Sequence, residues 1–441
     1  MDIILARFKL VWNSLTGKIA FYPALLAIFG LTFGFIMLYA EDRGISKFLI
    51  ENAPNLVINN ADTARTLLST FVGGIISLMV FSFSMVMILL NQASNNYSPR
   101  ILPGLISNKR HQLVLGFYIA TLTYNILILL SIKPTDDKYQ LPGFSVLIGI
   151  LMGMIVLALF IYFIHAISEA IQINNIIKSI YLKTQGRLNK LIKETDDTGY
   201  NDDFPSSDDW HTYSIDRTGY LQNIAIASLI KLCNKDDLKF DILITKGTFI
   251  LEGLPVAKCN KELDEEQQKN LMACFGFSSS EIVDNNYILG FKQLNEIAIK
   301  AMSPGINDPG TAITCLDYMT QLFNLRLQKK DYNLVHNDKK EAIISLRPIQ
   351  FSELIYFVYA PLRTYCKQDI IMLNKMLHSL YFLERSSYIT KDYKKLIVDQ
   401  VNLIITDIKN NIVNEEDLNR LLAIGLKVEE YNDTKIEVME S

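Results

Sequence analysis

The chain is short of the residues that usually announce a site. Its 441 residues include five cysteines, five histidines and a formal net charge of only -3. Cys233, Cys259, Cys274, Cys315 and Cys366 are odd in number, scattered and never in a CxxC pair. That argues against a disulfide framework or a zinc site and fits a reducing compartment. No basic segment or nucleic-acid-binding motif occurs, so nucleic acid is not an expected partner. GxSxG, HExxH, GxGxxG and the Walker loop are missing. His111, His211, His336 and His378 stand far apart in sequence. The expectation is a protein that is not an enzyme, with no catalytic residues, no metal and no cofactor.

Charge is missing most completely from four runs in the first part of the chain. Ile19–Tyr39, Thr66–Leu90, Leu113–Ile132 and Phe144–Ile167 contain no interior Asp, Glu, Lys or Arg. Each is about twenty residues or longer, enough to cross a bilayer as a helix. A cleaved signal peptide is the rival reading of the first run. That run is too long for one, and the "LYA" before Glu41 is a poor cleavage site. Lys and Arg favour the amino end (Arg7, Lys9, Lys18), the loop after the second run (Arg100, Lys109, Arg110) and the stretch after the fourth (Lys178, Lys183, Arg187, Lys190). The two other loops hold only Arg43 with Lys47 and Lys133 with Lys138. The positive-inside rule therefore predicts both termini in the cytoplasm. Residues 1–17 read as an interfacial amphipathic helix with Ile4, Phe8, Val11, Trp12 and Leu15 on its apolar face, or as a plain cytosolic extension of the first span.

The second run carries a pattern. Thr70, Ser77, Ser84 and Asn91 recur every seven residues, and Thr66 and Gly73 flank the same line. Seven residues make nearly two helical turns, so these positions share one stripe. Small polar residues permit close helix packing; they also line water-filled paths, and both readings stand. Thr121 and Asn125 lie one turn apart in the third span, and Gly149 and Gly153 form a GxxxG in the fourth. His165 and Glu169 end the fourth span one turn apart, placed to mark the membrane interface, pass a proton or bind a metal.

The remainder reads as a water-facing domain. A polar helix is expected to continue the fourth span to about residue 194, followed by an acidic linker, "ETDDTGYNDDFPSSDDW". That linker lacks the ligand spacing of a calcium loop. A short strand and a helix follow in "GYLQNIAIASLIKLCNKDD", then three short strands from Leu238 to Cys259, with Gly247 and Gly253 at turns. Helices are predicted near 285–302, 310–329, 350–378, 388–409 and 415–426.

The most elaborate turn is "AMSPGINDPGTA". Pro304 stops the helix before it, and Gly305 is free to take a positive φ. Asn307 or Asp308 suits the N-cap of the next helix, and Pro309 suits its first position. Ser303, Pro304, Gly305, Asn307, Asp308 and Pro309 are thus either a rigid corner or a place where an ion, a phosphate or another subunit binds.

This turn resembles the hallmark of a family of uncharacterised bacterial membrane proteins, the domain of unknown function numbered 2254. "FSFSMVMILLNQASNNYSPRIL", with Ser98, Pro99 and Arg100, resembles that family's second span; "QLVLGFYIATLTYNILIL" resembles its third. "GYLQNIAIASLIKL" followed by "KGTFILEGLPVA" is similar to its cytoplasmic start, and the likeness covers roughly residues 15–380. The chain departs from the family at Glu281-Ile282 and Asn285-Asn286, where Arg-Thr and Gln-Asp pairs are usual, and at Lys300, where Arg is usual. The resemblance implies architecture and a bacterial cytoplasmic membrane, and supplies no function.

The fold class expected is a mainly α membrane protein, with four transmembrane helices followed by an α+β, mostly helical cytoplasmic domain. The expected divisions are 1–17, 18–170, 171–210 and 211–441. The expected partners are the lipid bilayer and further copies of the chain. Two functions compete: a homo-oligomeric channel or transporter for an unidentified small solute or ion, its pore lined by Thr66, Thr70, Gly73, Ser77, Ser84 and Asn91, and a non-transporting scaffold or sensor with a cytoplasmic regulatory domain.

Overall fold

A computed structural model describes residues 20–52, 58, 60–96, 109–132, 141–194, 204–278, 286–329, 331, 334–337 and 339–440. The expected interfacial helix at 1–17, the Ser98-Pro99-Arg100 element, most of the acidic linker and Glu281–Asn285 lie outside the described residues. The chain forms two compact units, Met1–Asn175 and Ile176–Ser441.

Among the described residues of the first unit, four helices are long and apolar enough to cross a membrane: α1 (Phe21–Asp42), α3 (Ala61–Asn96), α4 (Lys109–Ser131) and α5 (Gly143–Ile171). The short α2 (Ile45–Asn52) follows α1. Mean hydropathy within the four spans runs from 2.0 to 2.8. The helices outrun the apolar stretches that announce them. α3 begins at Ala61 rather than Thr66, because Asn60 Oδ1 accepts from the Thr63 amide at 2.8 Å and supplies a cap upstream.

α4 is the central helix, with α1, α3 and α5 packed around it. Small residues let the backbones close. A Cβ at Gly30 of α1 would overlap the Ala120 backbone of α4, and one at Gly34 would lie 2.7 Å from Leu127 Cδ2. The GxxxG of α5 is used inside this unit: Gly149 makes room for Asn125 of α4, and Gly153 for the Phe71 ring of α3. At one end of the bundle Glu41 accepts from both the amide and the hydroxyl of Ser145, each at 2.8 Å. The Tyr124 hydroxyl donates to the Ser145 carbonyl at 2.9 Å. The outward faces of α1 and α5 are bulky and apolar, as at Ile28, Phe29, Ile36 and Ile161. Such surfaces suit lipid tails.

The second unit opens with α6 (Ile173–Glu194). A non-helical residue, Gln172, separates it from α5, so the fourth span does not continue unbroken. Next come β1 (His211–Ser214), β2 (Gly219–Ile224), α7 (Ile226–Asp236), β3 (Phe240–Ile242), β4 (Phe249–Ile250) and β5 (Pro255–Cys259). α8 (Glu265–Ala273) and β6 (Phe275–Ser278) follow. Gly247 and Gly253 take the expected turn conformation, with φ of 89° and 84°. Asp264 and Gln267 close a capping box on α8.

The helical part comprises α9 (Tyr287–Ala301), α10 (Pro309–Leu327), α11 (Phe351–Cys366), α12 (Ile370–Glu384), α13 (Lys391–Asn411) and α14 (Glu415–Glu440), with β7 (Leu334–His336) and β8 (Ala342–Ser345) between α10 and α11. The single helix expected over 350–378 is two. Asp369 caps α12 by accepting from the Met372 amide at 2.8 Å, which turns the chain after Cys366.

Five strands form a mixed sheet in the order β1-β5-β3-β8-β7, parallel only between β3 and β8. The other three, β4-β2-β6, are antiparallel. Phe240, Ile242, Val256, Ala257 and Ile344 pack with α7 and α8 residues such as Leu229 and Leu271 in one apolar core. Phe323 centres the helical packing, its ring 4.7 Å from Phe291, 5.9 Å from Phe351 and 6.1 Å from Tyr359.

Candidate functional site

The inward face of α3 buries Ala64, Leu68, Ile75 and Ser82 against the rest of its unit. The opposite face carries Thr66, Thr70, Gly73, Ser77, Ser84 and Asn91, and all six are exposed on the single chain. Two hydroxyls bond back to their own helix, Thr70 to the Thr66 carbonyl at 2.7 Å and Ser77 to the Gly73 carbonyl at 3.0 Å. Their donors are satisfied, while each oxygen keeps acceptor capacity for an outside group. A Cβ at Gly73 or Gly74 would meet nothing within 4 Å. The sequence stripe is therefore a real surface, narrow in side chain and facing away from its own bundle.

A second set of polar groups lies inside the bundle, of which the sequence reading isolated only Thr121 and Asn125. Gln112, Tyr118, Thr121 and Asn125 of α4 and Ser82 of α3 are all buried. Thr121 donates to the Phe117 carbonyl at 2.9 Å. Asn125 Oδ1 and Nδ2, Gln112 Oε1, the Tyr118 and Ser82 hydroxyls and His111 Nε2 have no protein hydrogen-bond partner among the described residues. A sequence signal existed: His111, Tyr118 and Asn125 are seven apart, the same spacing as the stripe on α3.

The Pro304–Pro309 turn lies on the surface of the second unit. Its positive φ falls on Asn307, at 49°, and not on Gly305. Asn307 belongs to the non-glycine residues that tolerate the left-handed region, so the glycine is not needed for it. The Ile306 and Asn307 amides both donate to the Ser303 carbonyl, and the Asp308 amide donates to Ala301 at 2.8 Å. The Asp308 carboxylate caps α10, accepting from the Thr311 amide at 3.1 Å and its hydroxyl at 2.6 Å. Pro309 takes the first helical position. These donors and the carboxylate are engaged within the turn itself.

Elsewhere in the second unit the chemistry is structural. Arg326 is fully buried and pairs with Asp331; it also donates to the Tyr287 hydroxyl at 3.0 Å and the Lys329 carbonyl at 2.8 Å. Asp331 accepts in addition from the Tyr393 hydroxyl and the Phe351 amide. Burial raises the Asp331 carboxyl, but the Arg326 charge and these hydrogen bonds outweigh it and hold the group below its ordinary value. Burial, aided by Arg326, pulls Lys329 down to about 8. Burial pushes the thiols of Cys233 and Cys366 up to about 12 and that of Cys274 to about 11. All five cysteines are unpaired and buried. In the first unit, His165 Nε2 lies 3.6 Å from Glu169 Oε1, both exposed. An open cleft of 440 Å³ is lined by Tyr181, Gln185, Thr320, Gln321, Asn324 and Phe382, with no charged side chain in its wall.

Comparison with known proteins gives a family of membrane proteins and no activity. Residues 16–381 match a family model described as "Predicted membrane protein (DUF2254)". An uncharacterised protein of Mycobacterium bovis, Mb1321c, is 21% identical over 97% of this chain and 83% of its own length. Rv1290c of Mycobacterium tuberculosis, also uncharacterised, is similar to the same extent. No solved structure matches the chain significantly.

Proposed function

The chain belongs to the DUF2254 family of membrane proteins, and from that premise we propose that it works as a homo-oligomeric channel or transporter whose path is lined by α3. The carrying observation is the outward polar stripe of Thr66, Thr70, Gly73, Ser77, Ser84 and Asn91. Hydroxyl and amide groups at membrane depth face protein or water in preference to lipid tails. The outward face of α1 is mostly bulky and apolar, with Ile28, Phe29, Phe35 and Ile36 around one exposed hydroxyl, Thr32, which bonds back to its own helix. Four spans per chain cannot enclose a wide path, so a ring of copies presenting α3 to a common axis supplies one. Without charges in the stripe, selectivity would be weak and set by width. The membrane is the bacterial cytoplasmic membrane, with both termini in the cytoplasm, in keeping with the Lys and Arg bias.

A non-transporting scaffold or sensor shares the oligomer but not the water. Gly73, Gly74 and the small hydroxyls would then serve as packing surface, with the large second unit as the working part. Reconstitution in planar bilayers separates the two. A path gives conductance in the wild type, a loss of it in Ser77→Leu with the oligomer intact, and thiol labelling of a cysteine at Ser77 or Ser84 but not at Leu78. A dry interface gives no conductance, and Ser77→Leu breaks the oligomer. Silence of the wild type under voltage, salt gradient and membrane tension would refute the channel.

A further inference from the structure

We infer that each protomer holds a second, separate route through its own bundle: a file of water molecules along α4 that conducts protons. The decisive residue is Asn125. It is fully buried, and neither amide atom finds a protein partner among the described residues. An amide left unpaired in an apolar interior is costly by several kcal/mol, and at membrane depth no bulk solvent relieves it. Water is the smallest group able to donate to Oδ1 and accept from Nδ2 together.

Asn125 is one rung of a series. Tyr118 lies seven residues before it and His111 seven before that, so all three share one face of α4. The Tyr118 and Ser82 hydroxyls are neighbours, yet neither reaches hydrogen-bonding geometry with any described residue. Gln112 Oε1 and His111 Nε2 are orphaned at the same end of the helix. At 1.5 Å per residue the rungs from His111 to Asn125 span about 21 Å of a hydrocarbon core about 30 Å thick. Beyond Asn125 the polar line continues through Tyr124 and Ser145 to Glu41. An imidazole thus stands toward one end and a carboxylate toward the other.

The rungs are neutral hydroxyl, amide and imidazole groups that bind water by donating and accepting. A hydrated metal cation would need fixed charge or a wide lumen, whereas α4 is packed closely by the Gly30, Gly34 and Gly149 contacts. Protons need only a connected hydrogen-bonded file, and the titratable groups that intramembrane proton relays use, His and Glu, stand here only toward its two ends. Gly149 is part of the device: a Cβ there would overlap Asn125 Oδ1, so the glycine keeps the amide inside the file.

The test uses the full-length protein in vesicles loaded with a pH-sensitive dye, under a potassium diffusion potential. Proton uptake is expected in the wild type. With the axial path closed by Ser77→Leu in both proteins, adding Asn125→Leu should reduce uptake about tenfold or more by replacing a wet rung with an apolar one. A double variant that conducts protons like its Ser77→Leu parent, or a parent that conducts none, overturns the proposal. Salt conductance through the oligomer axis is read separately, so failure of the axial path and failure of this one are distinguishable. Should Asn125→Leu fail to fold, magnetisation transfer from water to the Asn125 side-chain amide in the wild type decides the matter. Transfer is expected, and its absence overturns the proposal.

Discussion

Arg326 and Asn125 are equally buried and treated in opposite ways. The guanidinium in the second unit is met by Asp331, the Tyr287 hydroxyl and the Lys329 carbonyl. The amide in the first unit is met by no described residue. At Arg326 a buried polar group is tolerated because the chain itself completes its bonds. In the first unit the chain leaves bonds open, and does so repeatedly along one helix face. Complete networks fix a structure, while open ones ask for a small molecule.

The contrast is broken most sharply at Arg326. Arg326→Leu leaves the half-buried Asp331 carboxylate without its cation and empties a fully buried network, so thermal or denaturant unfolding should show a loss of about 3 kcal/mol. A loss under 1 kcal/mol would mean that the network is not what holds α10 to its neighbours. Asn125→Leu should behave differently, changing stability by less than about 1 kcal/mol, because no protein bond is lost. A large destabilisation there would reveal a protein partner and erase the difference between the units.

Two smaller effects concern the Pro304–Pro309 corner. Asp308→Ala removes the cap on α10 and should cost about 1 kcal/mol, read from the unfolding midpoint. Gly305→Ala should fall within about 0.5 kcal/mol of wild type, since its φ is not positive and an added Cβ meets nothing within 4 Å. A cost above that would show that the corner depends on the glycine after all.

Acid titration gives the finest test. The folded Asp331 carboxyl lies below its ordinary value of 3.8, so its contribution is fully present above that value. It is lost as pH falls below it through the folded value. Asp331→Asn should remove this part of the acid dependence, and an unchanged acid profile in that variant would assign it to other groups.

These residues also show where sequence reasoning reached and where it stopped. The four spans were legible because lipid demands long apolar runs, and their ends were misplaced because Asn60 caps α3 before its apolar run begins. Asp369 divided one expected helix, its cap hidden within a continuous apolar pattern. β1, β6, β7 and β8 escaped notice, since strands of three or four residues carry almost no periodicity. At the corner the cap and the proline were readable, but the left-handed residue was Asn307. The stripe on α3 was visible as a seven-residue repeat, and its outward direction was not, because direction depends on which face α4 covers. The same repeat on α4 went unread beyond Asn125 because Tyr118 and His111 look like ordinary span residues until their partners are sought.

The buried thiols carry a practical consequence. Cys233, Cys274 and Cys366 sit in packed cores with their ionisation pushed to about 12, 11 and 12, so at neutral pH they offer almost no thiolate. The folded wild-type chain is therefore already a silent background for maleimide chemistry. A single reporter cysteine at Ser77 or Ser84 can be introduced without first stripping out five native residues from the interior. The same silence disqualifies Cys233 as a marker of sidedness: it will stay unlabelled whichever face of the bilayer its domain occupies.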